Sequence, residues 1–277
     1  MAIISPIEGD SINLPQTIVQ GIVTTSADEV GIIVNGYPAQ VKENKWFVNN
    51  LPLTEGLNTI TVTATQPDGS TVSHSITVTV DTSIPTDWIE LYLTPESGIA
   101  PLNTYLKVEP HLSFTPSTWN VGSIGPGQDV TLQSTSDTEH ELTFPTPGFY
   151  TIIFTMSDDQ GSEVSGEIMV NVVDGTVLDS LLQSRWVAMS TDLLAGNNES
   201  ALSYFVAASQ DKYRTVFTTL GSSKINSIFS GTSNISIDSS YGKTAKCGIT
   251  RIESNETYSY PLTMIKDENG LWKITGF

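Results

Sequence analysis

The sequence predicts a multidomain fold of two all-β sandwiches followed by an α+β domain, in which helices pack on a curved antiparallel sheet. Up to about residue 173, short runs of alternating apolar and polar residues are bounded by turn residues, as half-buried antiparallel strands require. Residues 178–221 instead carry apolar residues at helical spacing. Alternation returns from residue 234 onward. The predicted domains are residues 1–82, 83–173 and 174–277.

Composition and charge limit the classes of function. The chain has 277 residues, of which 38% are hydrophobic and 15% charged, which fits folded domains and argues against disorder. Its net charge is −18. Residues 83–173 hold one Lys or Arg and twelve Asp or Glu, a net charge of −11, whereas residues 1–82 carry −6 and residues 174–277 carry −1. A negative surface repels phosphate groups and anionic lipids, so we expect no nucleic-acid partner.

No stretch approaches the roughly 20 consecutive apolar residues that a membrane-spanning helix needs. We therefore expect no membrane insertion in this segment. The beginning of the chain also lacks a basic region followed by an apolar one, which a signal peptide would show. We expect an exported protein whose signal peptide is not in the given sequence.

The first domain has the clearest strand pattern. Over residues 59–65, threonines alternate with Ile, Val and Ala, and the turn Pro67-Asp68-Gly69 leads into the next strand. Asn35-Gly36 marks another tight hairpin. Trp46 and Phe47 are adjacent, so one side chain should face the core and the other outward, where it could stack on a sugar. Residues 82–86 are predicted to be a short linker.

The first domain resembles a bacterial immunoglobulin-like (Ig-like) module, domain B of glucodextranase, in the runs VGIIVNGYPAQV and WFVNNLPLTEGLNTITVTATQPDGSTVSHSITVTV. The resemblance covers most of residues 3–81. It implies an accessory module of an exported bacterial protein, with a spacer or binding role and no chemistry.

The second domain has predicted strands at residues 102–108, 130–132, 150–156 and 167–172. It resembles the polycystic-kidney-disease (PKD) type of Ig-like domain in the runs PESGIAPLNTYLKV and HELTFPTPGFYTIIFTMSDDQGSEV. The central W-D-F-G-D-G signature of that family is represented by Trp119-Asn120-Val121-Gly122, without its acids. The resemblance therefore identifies a divergent member.

The turn around Gly161 is the candidate metal site. Asp158, Asp159 and Glu163 could hold Ca²⁺, which takes six to eight oxygen ligands. The same residues also fit an ordinary hairpin turn, and the spacing of a twelve-residue calcium loop is missing. We expect no cofactor, with Ca²⁺ at this turn as the alternative. His140 is expected in a solvated loop.

The third domain begins with two predicted helices, which carry the apolar stripes Leu178 to Leu193 and Leu202 to Leu220. Gly196 suits the positive φ at a helix end, and Asn198 is a candidate cap for the next helix. A further short helix is predicted at residues 222–229. Strands follow at residues 234–238, 244–252, 257–266 and 271–277, with turns at residues 253–256 and 267–270.

This order and the closing run KDENGLWKITGF resemble the cystatin-like, nuclear transport factor 2-like superfamily. The resemblance implies a cone-shaped cavity that serves as an active site or as a binding pocket. Catalytic members place histidines and aspartates in the cone, and residues 174–277 contain no histidine. The acids Asp179, Asp192 and Asp211 are expected on solvent faces or turns, and Cys247 is expected to face the core. The residues expected near the cone are aromatic: Trp186, Tyr204, Phe205, Tyr213, Tyr258, Tyr260 and Trp272.

Together these observations predict a non-catalytic part of an exported bacterial cell-surface, secreted or periplasmic protein that has further domains. The sandwiches would form a stalk, and the α+β domain would bind a carbohydrate or protein partner. One alternative is an accessory region of a carbohydrate-active enzyme, and another is an enzymatic cavity in the terminal domain. The aromatic residues of that domain could also simply fill its core.

Overall fold

The computed structural model describes residues 1–83, 86–127, 130–134, 136–230, 234–253 and 256–277. The chain divides into two compact units, Met1–Asp174 and Gly175–Phe277. The first unit consists mostly of β-sandwich sheets, and the helices belong to the second. The predicted linker at residues 82–86 and the predicted turn at residues 253–256 include residues outside the described ranges.

The first hydrophobic core lies between two sheets, with strand orders β1-β3-β7-β6 and β2-β9-β8-β4-β5. The predicted alternation is confirmed in β8, where Ile60, Val62 and Ala64 are buried in this core. The strands are β1 (Ala2–Ser5), β2 (Ser11–Ile12), β3 (Gln16–Ile22), β4 (Gly31–Val34), β5 (Tyr37–Pro38), β6 (Gln40–Lys42), β7 (Lys45–Pro52), β8 (Gly56–Thr65) and β9 (Thr71–Val80).

Trp46 is among the largest fully buried side chains. Its ring leaves no room for a side chain at Gly21 on the neighbouring strand. Gly21 lies opposite Trp46 in the pairing of β3 with β7. A Cβ atom at residue 21 would overlap the indole ring and the backbone oxygen of Ala2. The close approach of Trp46 to β3 therefore requires a residue without a side chain.

The second core lies between a sheet of order β10-β12-β15-β14 and a group of strands in the order β13-β16-β17-β11. The strands predicted at residues 102–108, 150–156 and 167–172 lie within β12, β16 and β17. The strands are β10 (Trp88–Thr94), β11 (Ser97–Ile99), β12 (Leu102–His111), β13 (Thr118–Ile124), β14 (Thr131–Ser134), β15 (Glu139–Phe144), β16 (Gly148–Ser157) and β17 (Glu163–Val173).

His140 corrects the prediction of a solvated loop histidine. It lies on β15 and is only 1% exposed. Its ring contacts Trp119 and Phe154, with centroid separations of 4.6 and 5.2 Å. Burial lowers the pKa of His140, although a hydrogen bond to the backbone of Asp137 acts in the opposite direction. The imidazole therefore packs as part of the second core.

Phe47 corrects the prediction that Trp46 or Phe47 would face outward. Trp46 is buried in the first core, and Phe47 is 0% exposed without belonging to that core. Phe47 packs edge-on against Phe149 of β16, with ring centroids 4.9 Å apart. Its ring therefore packs between β7 and β16 and has no free face for a sugar.

Asn49 joins the same two parts of the first unit through the backbone. It is a buried residue of β7, and its Nδ2 donates to the carbonyl oxygen of Met169 at 2.8 Å. Its Oδ1 accepts from the N–H of Met169 at 3.0 Å. Asn50 donates in turn to the carbonyl oxygen of Leu91 at 2.8 Å. Asn49 thus satisfies both backbone groups of Met169, as a residue of a neighbouring strand would.

Replacing Asn49 with Ala should destabilise the protein strongly, because the buried N–H and C=O of Met169 would lose their partners. Each such loss costs about 1–3 kcal/mol, so we expect the free energy of unfolding to fall by about 2–5 kcal/mol in urea titrations. Asn120→Ala, at an exposed position of β13, is the matched control and should change it by less than about 0.5 kcal/mol. Equal stabilities of the two variants would contradict the role of Asn49.

Glu96 lies beside Asn49. Burial raises the pKa of Glu96 above its ordinary value of 4.5, and a hydrogen bond with the Asn49 side chain partly offsets this. The folded protein therefore holds this proton more tightly than the unfolded chain. The resulting stabilisation is complete below pH 4.5 and is lost as the pH rises through the folded-state pKa.

Glu96→Gln should remove this pH dependence, because the amide cannot ionise. We expect the variant to gain stability relative to the wild type as the pH rises from 4.5 towards neutrality, measured by urea unfolding at several pH values. Glu8→Gln is the control, since hydrogen bonds from Thr77 lower the pKa of Glu8, so its difference from the wild type should change below pH 4.5 and stay nearly constant above it. A constant difference between Glu96→Gln and wild type across this range would refute the assignment.

The described residues of the second unit form three helices and a four-stranded antiparallel sheet. The predicted stripe on the first helix is confirmed, since Leu178, Leu182, Trp186, Met189 and Leu193 are buried. The elements are α1 (Gly175–Leu194), α2 (Asn198–Leu202), α3 (Ala207–Phe229), β18 (Asn234–Tyr241), β19 (Thr244–Glu253), β20 (Glu256–Lys266) and β21 (Trp272–Gly276). No helix among the described residues is long and apolar enough to cross a bilayer.

Two glycines set the helix boundaries. Gly196 has a φ of +81°, as predicted for the residue after a helix end. Gly221 has a φ of +67° and kinks α3 before the segment that was predicted as a separate short helix. The cap prediction was wrong by one residue, because the N-cap of α2 is Asn197, which makes no side-chain capping hydrogen bond.

Side chains of α1 satisfy backbone groups of β18. The Asp179 carboxylate accepts from the N–H of Ile237 at 3.0 Å, and the Gln183 carbonyl accepts from the N–H of Ile235 at 2.7 Å. The four-residue spacing places Asp179 and Gln183 on the same face of the helix. These hydrogen bonds fix α1 against the sheet.

Candidate functional site

An apolar cleft of about 240 Å³ opens in the second unit, where helices meet the sheet. The contributing elements are α1, the end of α3, β19 and β20, together with the residue after β21. The cleft is lined by Trp186, Ile228, Phe229, Ile249, Arg251, Tyr260 and Phe277.

Three of these aromatic rings pack against one another. The ring centroid of Phe277 lies 5.3 Å from that of Trp186 and 5.9 Å from that of Phe229. Trp186 and Phe229 are 6.0 Å apart. The hydroxyl of Tyr213 fixes Phe277, because it accepts from the Phe277 N–H at 2.9 Å and donates to the Phe277 backbone oxygen at 3.1 Å. The Tyr213 hydroxyl therefore fixes the position of Phe277 in this wall of the cleft.

The cleft has a single charged side chain among its described lining residues, that of Arg251. Arg251 Nη2 donates to the carbonyl oxygen of Ser227 at 3.2 Å, which ties β19 to the end of α3. Within the same lining there is no carboxylate, imidazole or thiol. The lining is therefore mainly apolar, with one positive charge, and suits binding of an apolar group.

Two of the residues predicted near the cone, Trp186 and Tyr260, line this cleft. Tyr260 is 44% exposed and lies directly opposite Ile249 in the sheet. Tyr258, two residues earlier on the same strand, is 41% exposed, is not part of the lining, and donates its hydroxyl hydrogen to Glu256 at 2.7 Å.

The remaining predicted residues pack elsewhere in the second unit. Phe205, Tyr213 and Trp272 are buried and are not part of the lining. Tyr204 is half-buried, and its carbonyl oxygen accepts from the N–H of Ile274 at 2.8 Å. For Phe205, Tyr213 and Trp272, the alternative that aromatic residues fill a core describes the structure better than a ligand role.

Sequence reasoning did not identify five lining residues: Ile228, Phe229, Ile249, Arg251 and Phe277. Ile228 and Phe229 end the segment predicted as a short helix. Arg251 could have been found from strand alternation, because it shares a face with Ile249. No local sequence pattern identifies Phe277, because its position depends on a hydrogen bond with the hydroxyl of Tyr213, which is distant in sequence.

Two of the acids that were expected on solvent faces or turns make contacts with other side chains. Asp192 accepts from the Ser200 hydroxyl at 2.7 Å, and Asp211 forms an ion pair with Arg214.

Cys247 faces the core as predicted and is 2% exposed. Burial, with added repulsion from Asp238 and Asp179, raises the pKa of Cys247 to about 12. The thiol therefore stays protonated near neutral pH.

The predicted calcium turn is organised by hydrogen bonds. Asp158 Oδ1 accepts from the N–H groups of Ser162 at 2.8 Å and Gln160 at 2.9 Å. Burial raises the pKa of Asp158, but the hydrogen bonds together outweigh it, and the net pKa is lowered. Among the described residues no group of three or more His, Cys, Asp or Glu side chains is placed to hold a metal. Ca²⁺ binding by Asp158, Asp159 and Glu163 stays a prediction.

Comparison with known families gives a match in the first part of the chain. The family described as glucodextranase, domain B, matches residues 1–82 of the 277. This module is Ig-like, in agreement with the sandwich around the first core. The comparison with curated proteins finds no match.

Solved structures give only distant likenesses. The fibronectin(III)-like modules of CbhA from Clostridium thermocellum are 12% identical, with a TM-score of 0.25, over 62% of this chain and 94% of that chain. Extracellular cadherin domains 3–6 of protocadherin gamma B2 are 13% identical, with a TM-score of 0.26, over 63% of this chain and 47% of theirs. A Bacteroides ovatus protein, SGBP-B of a mixed-linkage glucan utilization locus, in complex with a heptasaccharide, is 13% identical, with a TM-score of 0.20, over 63% of this chain and 48% of that chain. The chain thus spans about half the length of the last two.

Proposed function

We propose that the chain is a non-catalytic part of an exported bacterial protein, in which two Ig-like sandwiches form a stalk for a small α+β binding domain. The observation that carries this proposal is the lining of the cleft in the second unit, which is aromatic and aliphatic with one arginine. The match to glucodextranase domain B supports an accessory rather than a catalytic role for residues 1–82. Division of the first unit near residue 82 and the PKD and nuclear transport factor 2-like resemblances are parts of the same proposal.

The ligand of this cleft is an apolar group next to a polar or negative one, as a protein partner would present. Burying apolar surface against Trp186, Ile228 and Phe229 supplies affinity of roughly 25 cal/mol per Å². Arg251 provides the complementary charge and hydrogen-bond donors. A volume of about 240 Å³ fits one side chain or one aromatic group rather than an extended molecule.

The probe anilinonaphthalene sulfonate combines an aromatic body with an anionic group and tests this site directly. We expect saturable binding to the whole chain. Ile228→Glu should weaken it at least about tenfold, because a carboxylate in the lining must be desolvated and repels the sulfonate. Val216→Glu, on the same helix at an exposed position outside the lining, should change the affinity less than about twofold. Thermal unfolding of both variants verifies that each is folded.

Equal weakening by the two variants, or no saturable binding by the wild type, would contradict a ligand site in this cleft. A hydrolase activity of the whole chain that disappears on changing one acid would contradict the non-catalytic assignment itself.

A second candidate function is an accessory region of a carbohydrate-active enzyme. The family match favours it, because glucodextranase is itself such an enzyme and its domain B is the part that matches. The sequence adjoining this region in the intact protein separates the two readings. A hydrolase domain would support the accessory role, and further Ig-like repeats would support the surface stalk.

A further inference from the structure

A second cleft, in the first unit, has a different chemistry. It measures about 290 Å³ and lies at β13. Among the described strands β13 pairs with β16 alone, and it forms the edge of the order β13-β16-β17-β11. We call it the Trp119 cleft; it is lined by Pro116, Ser117, Thr118, Trp119, Asp137 and Met156.

The Trp119 ring is supported from the core side. It stacks on Phe154, with centroids 5.9 Å apart and planes 15° apart, and contacts the buried ring of His140. Its Nε1 donates to Asp137 Oδ1 at 3.3 Å, which further fixes the orientation of the indole. Trp119 is nevertheless only partly buried. A rigid aromatic surface therefore faces the cleft.

Polar groups lie next to that surface. Asp137 is exposed. Ser117 and Thr118 bring two hydroxyl groups to the same lining. An aromatic face beside a carboxylate and hydroxyls is complementary to a sugar ring. The C–H bonds of such a ring pack on the negative π face, and its hydroxyls donate to the carboxylate.

The negative net charge of residues 83–173 limits which sugars the Trp119 cleft can bind. Residues 83–173 carry a net charge of −11, and the lining itself holds an acid and no base. Uronic acids and sulfated sugars would be repelled. The volume is just below the range of about 300–1,000 Å³ that is typical of small-molecule pockets, so one sugar ring fits and a longer chain must run along the open edge of β13.

We propose that the Trp119 cleft binds one residue of a neutral polysaccharide. This site is separate from the cleft of the second unit and uses none of its residues.

Affinity electrophoresis of the whole chain in gels containing neutral β-glucan, xylan, mannan or starch tests the proposal, with pectin and alginate as acidic polysaccharides. We expect retardation by at least one neutral polysaccharide and by neither acidic one. Asp137→Ala should weaken this binding at least about fivefold, and Trp119→Ala should abolish it. Asp137 is exposed, so its replacement tests the site even if the tryptophan variant unfolds.

Trp88→Ala is the matched control, because Trp88 stacks on His111 elsewhere in the same sandwich and is not part of the cleft. It should bind as the wild type does, and so should Val216→Glu, whose change lies at an exposed position of the second unit outside both clefts. The proposal is overturned by the absence of retardation in all the neutral gels, or by unchanged binding of folded Asp137→Ala and Trp119→Ala. Binding of a trimethylammonium probe at Trp119 in place of sugar would also overturn it.

Discussion

The pairing of the Asn49 side chain with the backbone of Met169 is the contact on which the architecture of the first unit depends. An amide side chain carries one donor and one acceptor at nearly the spacing of a peptide group, so it can satisfy both polar groups of a facing residue. Both groups are buried, and leaving them without partners would be costly. The pairing consequently specifies one relative register of β7 and β17.

Apolar packing follows from that register. With Asn49 fixed, Phe47 lies against Phe149, and the carboxyl group of Glu96 is enclosed strongly enough to raise its pKa. The two cores of residues 1–174 are therefore joined by the hydrogen bonds of Asn49 and Asn50 and by the ring contact of Phe47 with Phe149. These contacts explain why residues 1–174 form a single compact unit although they contain two distinct hydrophobic cores.

The two clefts illustrate how similar residues take different roles. In the second unit, aromatic rings contact one another around Phe277 and leave an apolar hollow beside Arg251. In the first unit, Trp119 has an aromatic ring behind it and a carboxylate beside it. The first arrangement favours an apolar group and the second a hydroxylated ring. Within its described lining, neither cleft contains an imidazole or a thiol.

Local patterns predicted much of the secondary structure, because alternation and helical spacing depend on burial of one face. Ile60 and Val62 are buried as their strand pattern indicates, and Gly196 has the positive φ expected of it. The errors arose where burial is created by a distant part of the chain. Phe47 is covered by a strand about a hundred residues later, and His140 by the ring of Trp119.

The candidate site was predicted only in part for the same reason. Trp186 and Tyr260 carry recognisable local signals, whereas Phe277 takes its place through the hydroxyl of Tyr213. Tyr213 and Phe277 are too far apart in the sequence for a local pattern to indicate that contact. Tyr258 and Tyr260 have the same pattern, yet only Tyr260 lines the cleft, because what each tyrosine meets depends on the helices packed against the sheet.

Native-state hydrogen exchange of the whole chain would test most directly whether residues 1–174 behave as one cooperative unit. The amides to compare are those of β8 and β9 in the first core with those of β16 and β17 in the second. If the Asn49 contact joins the two cores as the structure indicates, the slowest amides of both should exchange through one opening with the same free energy. Exchange of β8 and β9 through a separate opening of lower energy, while β16 and β17 stay protected, would contradict this account.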